Sequence, residues 1–538
     1  MAANRTGAQV INNGFSAGRT IICLQFRVDL CACKVNPYEL RVRLGFAHSS
    51  MLLVLSDDLL RAVLLLLDDI KSILACQATC RRFKTVVKNS LQIQYKIELG
   101  TSGMCEGPDA RHLNAFEKLQ RLRAYQAARA GDITFEELPF VPALFGDIWL
   151  MRSSVTTLVL MSPENDGLRI DVQQMPSVMR GIEERHWSIK LADIFTVAGF
   201  DASQDLLMVQ KVDRGGNHAC TLSILSLSTG ERHPSAVFDS TREVHDSGHV
   251  EVFRDHCAVA CSEQRRSCLA IWNWKTGSTK VNLFPPQSGL VSGFTFLDGG
   301  HIAIMSRDSP AILVYSFDLA QSDYLPTTFL LPPDIDVTPP TLIPCTAVAG
   351  AEHAGIFHPA PSARILSLFL TSSEVDGGHF LLNILADTLL AHLQDAPATV
   401  PWADWGPAGS RLTRWPRLTQ PPDRSEMCVV TLAPDGRVGP DGSPVGVLAD
   451  YRPSRVAQAR QRGLVGLVEK ATSVADEDLG GLTEAALPYA IRQFTMPWNG
   501  ERVDRLHKVI ACEDQMFVFE QSYAEDRHLV VKAWAGTI

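Results

Sequence analysis

The sequence predicts a small all-α unit of three helices followed by a mainly-β region, an irregular β-propeller of six or seven blades. Three observations predict it. Apolar residues recur at helical spacing between residues 55 and 90, with capping residues where helices should begin. After about residue 138 the texture changes to short runs rich in Val, Ile, Leu, Phe and Thr, divided by Gly, Asp, Ser and Pro. Within that region three segments read as variants of one unit, at the spacing of roughly 40 to 50 residues that four-stranded blades give. Two stacked sandwiches would have a similar strand content.

The bulk numbers agree. A chain of 538 residues exceeds one ordinary core and suggests roughly two to four domains, or one small domain with a large repetitive one. Hydrophobic residues make up 46% and charged residues 20%, the balance of a folded globular chain. A net charge of −9 argues against a general binder of nucleic acid or acidic membrane. The 13 Cys are odd in number and scattered, several inside apolar runs, which fits free thiols in a reducing compartment, the cytoplasm and/or nucleus. No apolar run reaches the roughly 20 residues of a membrane span. Along the chain, 1–50 read as a poorly patterned extension upstream of a natural start at Met51, 51–100 as the helical domain, 101–137 as a linker and connecting helix, and 138–538 as the propeller-like domain.

Each element has its own reason. Helices are expected over 57–67, 70–79 and 80–89. Ser56 can cap the first, with Asp57 and Asp58 in the first turn where carboxylates suit the helix dipole. Ala75, Cys76 and Ala78 are small enough for close helix approach. The first helix has apolar residues around most of its circumference, so it needs two covers rather than one. "GTSGMCEGPDA" at 100–110 reads as a turn-rich linker, and Leu113, Phe116, Leu119 and Leu122 mark an amphipathic connecting helix ending at Gly131. The three repeated segments begin at Phe195, Val250 and Val291, and Gly230 and Gly277 close equivalent turns in two of them. Further on, strands are expected at 364–371, 380–385, 427–432, 507–512 and 515–519. Pro-rich loops at 331–345, a Trp-rich loop at 400–415 and a Gly/Pro loop at 433–446 interrupt the pattern.

Residues 55–88 resemble an F-box, the helical module that docks substrate receptors onto the Skp adaptor of Skp-cullin-F-box ubiquitin ligases. Leu55, Asp57, Asp58, Leu59, Leu60, Val63, Leu64, Leu67, Ile73, Leu74, Cys80, Arg81, Arg82 and Phe83 carry the match. Ser56 stands where the family usually has Pro. "LQIQYKIELGTSGM" (91–104), "VPWADWGP" (400–407) and "ALPYAIRQ" (486–493) are similar to landmarks of the F-box proteins abundant in mushroom-forming fungi. The resemblance implies that the second cover is the adaptor, and through it a cullin. It assigns adaptor contact to Leu55, Leu59, Leu60, Val63, Leu64, Leu67, Ile73, Leu74, Cys80, Arg81 and Phe83, with aliphatic anchors worth roughly 1.5 to 3 kcal/mol each if fully buried.

No enzyme constellation holds. There is no P-loop, G-x-S-x-G elbow, H-E-x-x-H or strand-linked G-x-G-x-x-G. His245, His249, His256, Cys257, Cys261 and Cys268 cluster, but without the paired spacing of zinc sites, so no metal and no cofactor is expected. Two features could hold an unidentified target protein. Trp402, Trp405 and Trp415 with Arg411 and Arg414 suit stacking and cation-π contact, though Trp residues in such a loop also serve as wedges. Arg452, Arg455, Arg460 and Arg462 could read an acidic or phosphorylated segment, or form a solvated helix face. The expectation is a non-catalytic substrate receptor. Its rivals are a ligand-binding or catalytic propeller with a helical cap, and an F-box scaffold that works outside a ligase.

Overall fold

The fold is that of a computed structural model, which describes helices and strands between residues 55 and 537. Residues 1–54 and a number of connecting stretches, among them 138–149, 344–354, 416–427 and 433–444, lie outside the described residues. The expected extension over 1–50, the start at Met51, most of the loop at 433–446 and Arg462 fall there. The chain divides into two units, Met1–Leu60 and Arg61–Ile538. Of the first, the described part opens helix α1 (Asp57–Leu66), where the Ser56 hydroxyl accepts from the Leu59 amide at 3.3 Å.

The second unit continues α1 and adds α2 (Ile70–Thr79), α3 (Arg81–Asn89) and α4 (Leu91–Thr101). Asp69 caps α2, accepting from the Lys71 and Ser72 amides at 3.0 and 2.9 Å, and these bonds hold its carboxyl below the ordinary range although burial alone would raise it. Helix α2 packs against α3 and α4, and α3 against α4. A Cβ at Gly100 would sit 2.5 Å from Ile70 Cγ1, so glycine is what lets α4 approach α2. The Lys96 ammonium donates to the Leu65 carbonyl at 2.8 Å, placing a cation on the unsatisfied end of α1.

The described residues of 101–137, expected as linker and connecting helix, are folded against the β region. Strand β1 (Met104–Glu106) and a 3-10 turn (Pro108–His112) lead into α5 (Ala115–Ala128), which Asn114 and Glu117 start with a capping box, and β2 (Phe135–Glu137) follows. Chain order then gives β3 (Leu150–Ser153), β4 (Thr157–Glu164), β5 (Gly167–Gln174) and β6 (Arg185–Leu191). Next are β7 (Thr196–Asp201), β8 (Leu206–Val212), β9 (Ala219–Ser226) and β10 (Ser240–His245). They precede β11 (Val250–Phe253), β12 (His256–Glu263), β13 (Arg266–Asn273) and β14 (Thr279–Leu283). Then come β15 (Val291–Phe296), β16 (His301–Ser306), β17 (Ala311–Ser316) and β18 (Thr327–Leu330).

The later part is less regular. It holds β19 (Val337–Ile343), β20 (Phe357–Pro359), β21 (Ile365–Ser372), β22 (His379–Leu385), α6 (Ala386–Leu393), β23 (Thr399–Val400), α7 (Trp402–Gly409) and β24 (Ser410–Trp415). After these come β25 (Cys428–Leu432), β26 (Val445–Asp450), β27 (Leu467–Val468), β28 (Thr472–Ala475), β29 (Leu482–Ala485) and β30 (Tyr489–Thr495). The last are β31 (Leu506–Ala511), β32 (Gln515–Tyr523) and β33 (Leu529–Thr537).

Among the described residues, seven sheets of four or five strands succeed one another: β3 to β6, β7 to β10, β11 to β14, β15 to β18 with β23, β19-β21-β22-β24, β25-β26-β30-β27, and β2-β33-β32-β31. The first strands of several consecutive sheets meet, β7 with β11, β11 with β15 and β15 with β19. Several hydrophobic cores lie between one sheet and the next. One joins Val159 and Ile170 to Val209, another Met208 and Ile224 to Val259, a third Ile271 to Phe294 and Ile304. Radial succession of small antiparallel sheets is the plan of a β-propeller, and the chain has a propeller-like β region.

The repeated segments supply three strands each of the sheets β7 to β10, β11 to β14 and β15 to β18. Gly230 and Gly277 have φ of +73° and +69° and donate to the Ser226 and Asn273 carbonyls at 2.8 and 2.7 Å, so both close left-handed turns. Two expected loops are corrected. The Pro-rich stretch contains β19, an edge strand whose register shifts between Thr338 and Thr341, so Pro339 and Pro340 fall where a ladder bond is not required. The Trp-rich stretch is helix α7 followed by strand β24, not a loop.

Candidate functional site

The helical part of the second unit exposes more apolar surface than its size warrants. On α1, Leu64 is 1% exposed, whereas Val63 and Leu66 are 43% and 79% exposed; on α2, Ile73 is fully buried and Leu74 is 41% exposed. Val86 and Val87 of α3 and Ile93 of α4 join the buried set. A compact unit that fills its core and still leaves three aliphatic side chains in water has a face suited to an apolar partner. In the first unit, Leu55 is half-buried, Leu59 exposed and Leu60 buried.

Of the residues assigned to adaptor contact, Leu59, Val63, Leu74 and Arg81 are exposed, and Leu55, Leu67, Cys80 and Phe83 are half-buried. Leu60, Leu64 and Ile73 are corrected: they are buried within the protein and offer no surface. Leu66, absent from the expected set, is the most exposed aliphatic side chain of α1. Nothing in a single sequence marks it, because apolar residues surround most of that helix.

The aromatic set is corrected as well. Trp402 and Trp405 are buried, stack edge-to-face at 4.9 Å, and pack with Phe329, Leu331, Leu366 and Leu389. Trp405 donates from Nε1 to the Leu330 carbonyl at 3.1 Å, which fastens α7 to β18. Arg411 is fully buried and donates from Nε to the Leu487 carbonyl at 2.9 Å, with its guanidinium 5.1 Å from the centre of the Tyr489 ring. These three wedge an insertion onto the sheets and present nothing to a target. Arg414 and Trp415 lie on β24, and their side chains are outside the described residues. In the second basic run Arg452 is buried and bonded to Asp450 at 3.0 Å, Arg455 donates to the Arg129 carbonyl at 3.0 Å, and Arg460 is exposed.

A seam joins the helices to the β region. Strand β1 pairs antiparallel with β20, Met104 opposite Pro359 and Glu106 opposite Phe357. The Gly107 amide donates to Ile356 O at 2.9 Å, and the Gly355 amide to Asp109 Oδ2 at 2.7 Å. Arg180, fully buried, donates from Nε to Phe357 O at 2.9 Å. Tyr95, Leu99, Leu119, Leu122 and Tyr125 share one core with Ile356 and Phe357, the rings of Tyr125 and Phe357 meeting at 5.1 Å. Arg123 grips Glu98 from Nε at 3.1 Å and Nη2 at 2.5 Å, tying α5 to α4. A surface with an apolar patch and a scaffold that fixes its position can bind.

No protein-family model matches the chain, and no curated protein matches it. Among solved structures, the WD40 domain of Toxoplasma gondii coronin is similar over 75% of this chain and 86% of its own, at 9% identity and a TM-score of 0.37. The β-propeller domain of the Trilobed protease from Pyrococcus furiosus is similar over 72% and 96%, at 7% identity and 0.37. The Cps50 (Swd1) β-propeller domain of Myceliophteria thermophila is similar over 74% and 99%, at 9% identity and 0.36. The class rests on the chain's own strand order. Among the described residues no helix is long and apolar enough to cross a membrane.

Proposed function

We propose that this chain is a non-catalytic substrate-recognition subunit of a Skp-cullin-F-box ubiquitin ligase, of the type abundant in mushroom-forming fungi, acting in the cytoplasm and/or nucleus. The seven sheets are its blades and hold a target protein, while the F-box helices dock a Skp-type adaptor and, through it, a cullin. The observation that carries the reading is the exposed trio Val63, Leu66 and Leu74 on helices whose core is already filled by Leu64 and Ile73. Ubiquitin would pass from a conjugating enzyme held elsewhere in the complex, so this subunit contributes proximity and orientation. The seam suits that task, since β1, Asp109 and Arg180 keep the helices at a fixed place on the sheets.

The rival, a ligand-binding or catalytic propeller with a helical cap, draws on the same seam but leaves the exposed trio without a purpose. Co-expression of the full chain with a fungal Skp adaptor, followed by affinity capture, separates the two. Capture is expected for the wild type and lost for a Val63→Asp, Leu66→Asp variant, whose altered side chains are exposed and whose fold should survive. Absence of capture by the wild type overturns the ligase reading.

A further inference from the structure

Helix α3 carries a second surface. From Arg81 to Lys96 the chain has five basic residues and no acidic one, within a protein of net charge −9. On α3, Arg81, Lys84 and Lys88 follow at helical spacing along one side and all are exposed, while Val86 and Val87 are buried. Several exposed or half-exposed cations elsewhere are paired: Lys118 with Glu106, Arg123 with Glu98, Lys190 with Glu164, Lys211 with Asp193 and Lys275 with Asp255. Among the described residues no ion pair joins Arg81, Lys84 or Lys88 to a carboxylate. At the end of this row Lys88 borders an open cleft of about 460 Å³, lined also by Gln77, Val87, Gln94, Ile97 and Glu98, with Val87 and Ile97 as its apolar part.

We infer that this face docks a short acidic segment of a partner protein, its carboxylates along Arg81, Lys84 and Lys88 and one apolar side chain in the cleft. Charge complementarity chooses the occupant. The cationic row spans only about 10 Å, the rise of seven residues, which matches two or three carboxylates on a peptide and is short for a duplex or a vesicle surface. The acidic remainder of the chain would repel an extended polyanion and leave a short, local one in place. The inference shares only Arg81 with the residues expected at the adaptor; Lys84, Lys88 and the cleft lie outside that set, and Val63, Leu66 and Leu74 take no part in it.

The test uses the full chain and fluorescence anisotropy with a labelled peptide of about twelve residues built from Glu and Leu, beside its Lys-for-Glu counterpart and a single-stranded oligonucleotide. Saturable binding of the acidic peptide alone is expected, weakening about ten-fold as salt rises from about 50 to about 300 mM. A variant with Arg81→Glu, Lys84→Glu and Lys88→Glu should lose binding, and the corresponding Gln variant should lose part of it, both with unchanged helical circular dichroism. Should the Gln and Glu variants bind as the wild type does, or the wild type not bind, the inference fails. Tighter binding of the oligonucleotide would overturn it in favour of nucleic acid.

Discussion

Two residues apart on α1, Leu64 and Leu66 meet opposite surroundings, and the contrast can be measured. Leu64→Ala should cost about 2 to 5 kcal/mol, the transfer loss plus a cavity, whereas Leu66→Ala should stay within about 0.5 kcal/mol in the isolated protein. Urea unfolding checks both; equal costs would mean that Leu66 is covered. Arg180 is the second informative residue. Its guanidinium is buried against the Phe357 carbonyl, so Arg180→Ala should destabilise the chain by about 2 to 4 kcal/mol and expose residues 104–112 to a protease. At this scale the sequence is a poor guide. The apolar circumference of α1 suggests two covers, but it does not say which leucines face inward: Leu60 and Leu64 are buried while Leu59 and Leu66 are exposed.

Among single elements, β20 carries a histidine that ties its stability to pH. His358 is buried in it beside Arg180; burial chiefly, and then the nearby cation, hold its pKa below the ordinary 6.5, against the hydrogen bond to Pro359 O. A depressed histidine binds its proton less readily when folded, so its contribution is complete above about pH 6.5 and is lost as pH falls toward the folded value. The β1–β20 pairing should therefore exchange its amides faster, relative to intrinsic rates, at pH 5 than at pH 7.5, and His358→Asn should remove that difference. Other elements were legible in advance. The helices expected over 57–67, 70–79 and 80–89 differ from α1, α2 and α3 by a residue at most, and β21, β22 and β25 start and stop within a residue of expectation. Helix α4 is not legible in the same way, since Leu91, Ile93, Tyr95, Ile97 and Leu99 alternate as a strand would. The Ser90 cap and the α2 and α5 surfaces overrule that pattern, leaving Leu91 outside. The Trp-rich stretch misled for the converse reason: Gly406 and Pro407 read as loop signals, yet Gly406 is required because a Cβ there would overlap the Trp402 ring.

For the whole molecule, the final sheet is the point of weakness. Strand β33 lies between β2 and β32, with Phe135 opposite Gly536, so deleting residues 529–538 strips a partner from both. The truncated protein is expected to be protease-sensitive and prone to association through the bared edges. An unchanged melting curve would contradict the strand order. The same pairing governs how the protein is made. The partners are separated by about 400 residues, and at ribosomal speeds of about 5 to 20 residues per second β2 leaves the exit tunnel roughly 20 to 80 s before β33 exists. During that interval six of the seven sheets can form while the last stays open. A nascent chain of this protein should thus be a client of chaperones late in translation, with ribosome-bound intermediates that are mostly folded and unable to finish.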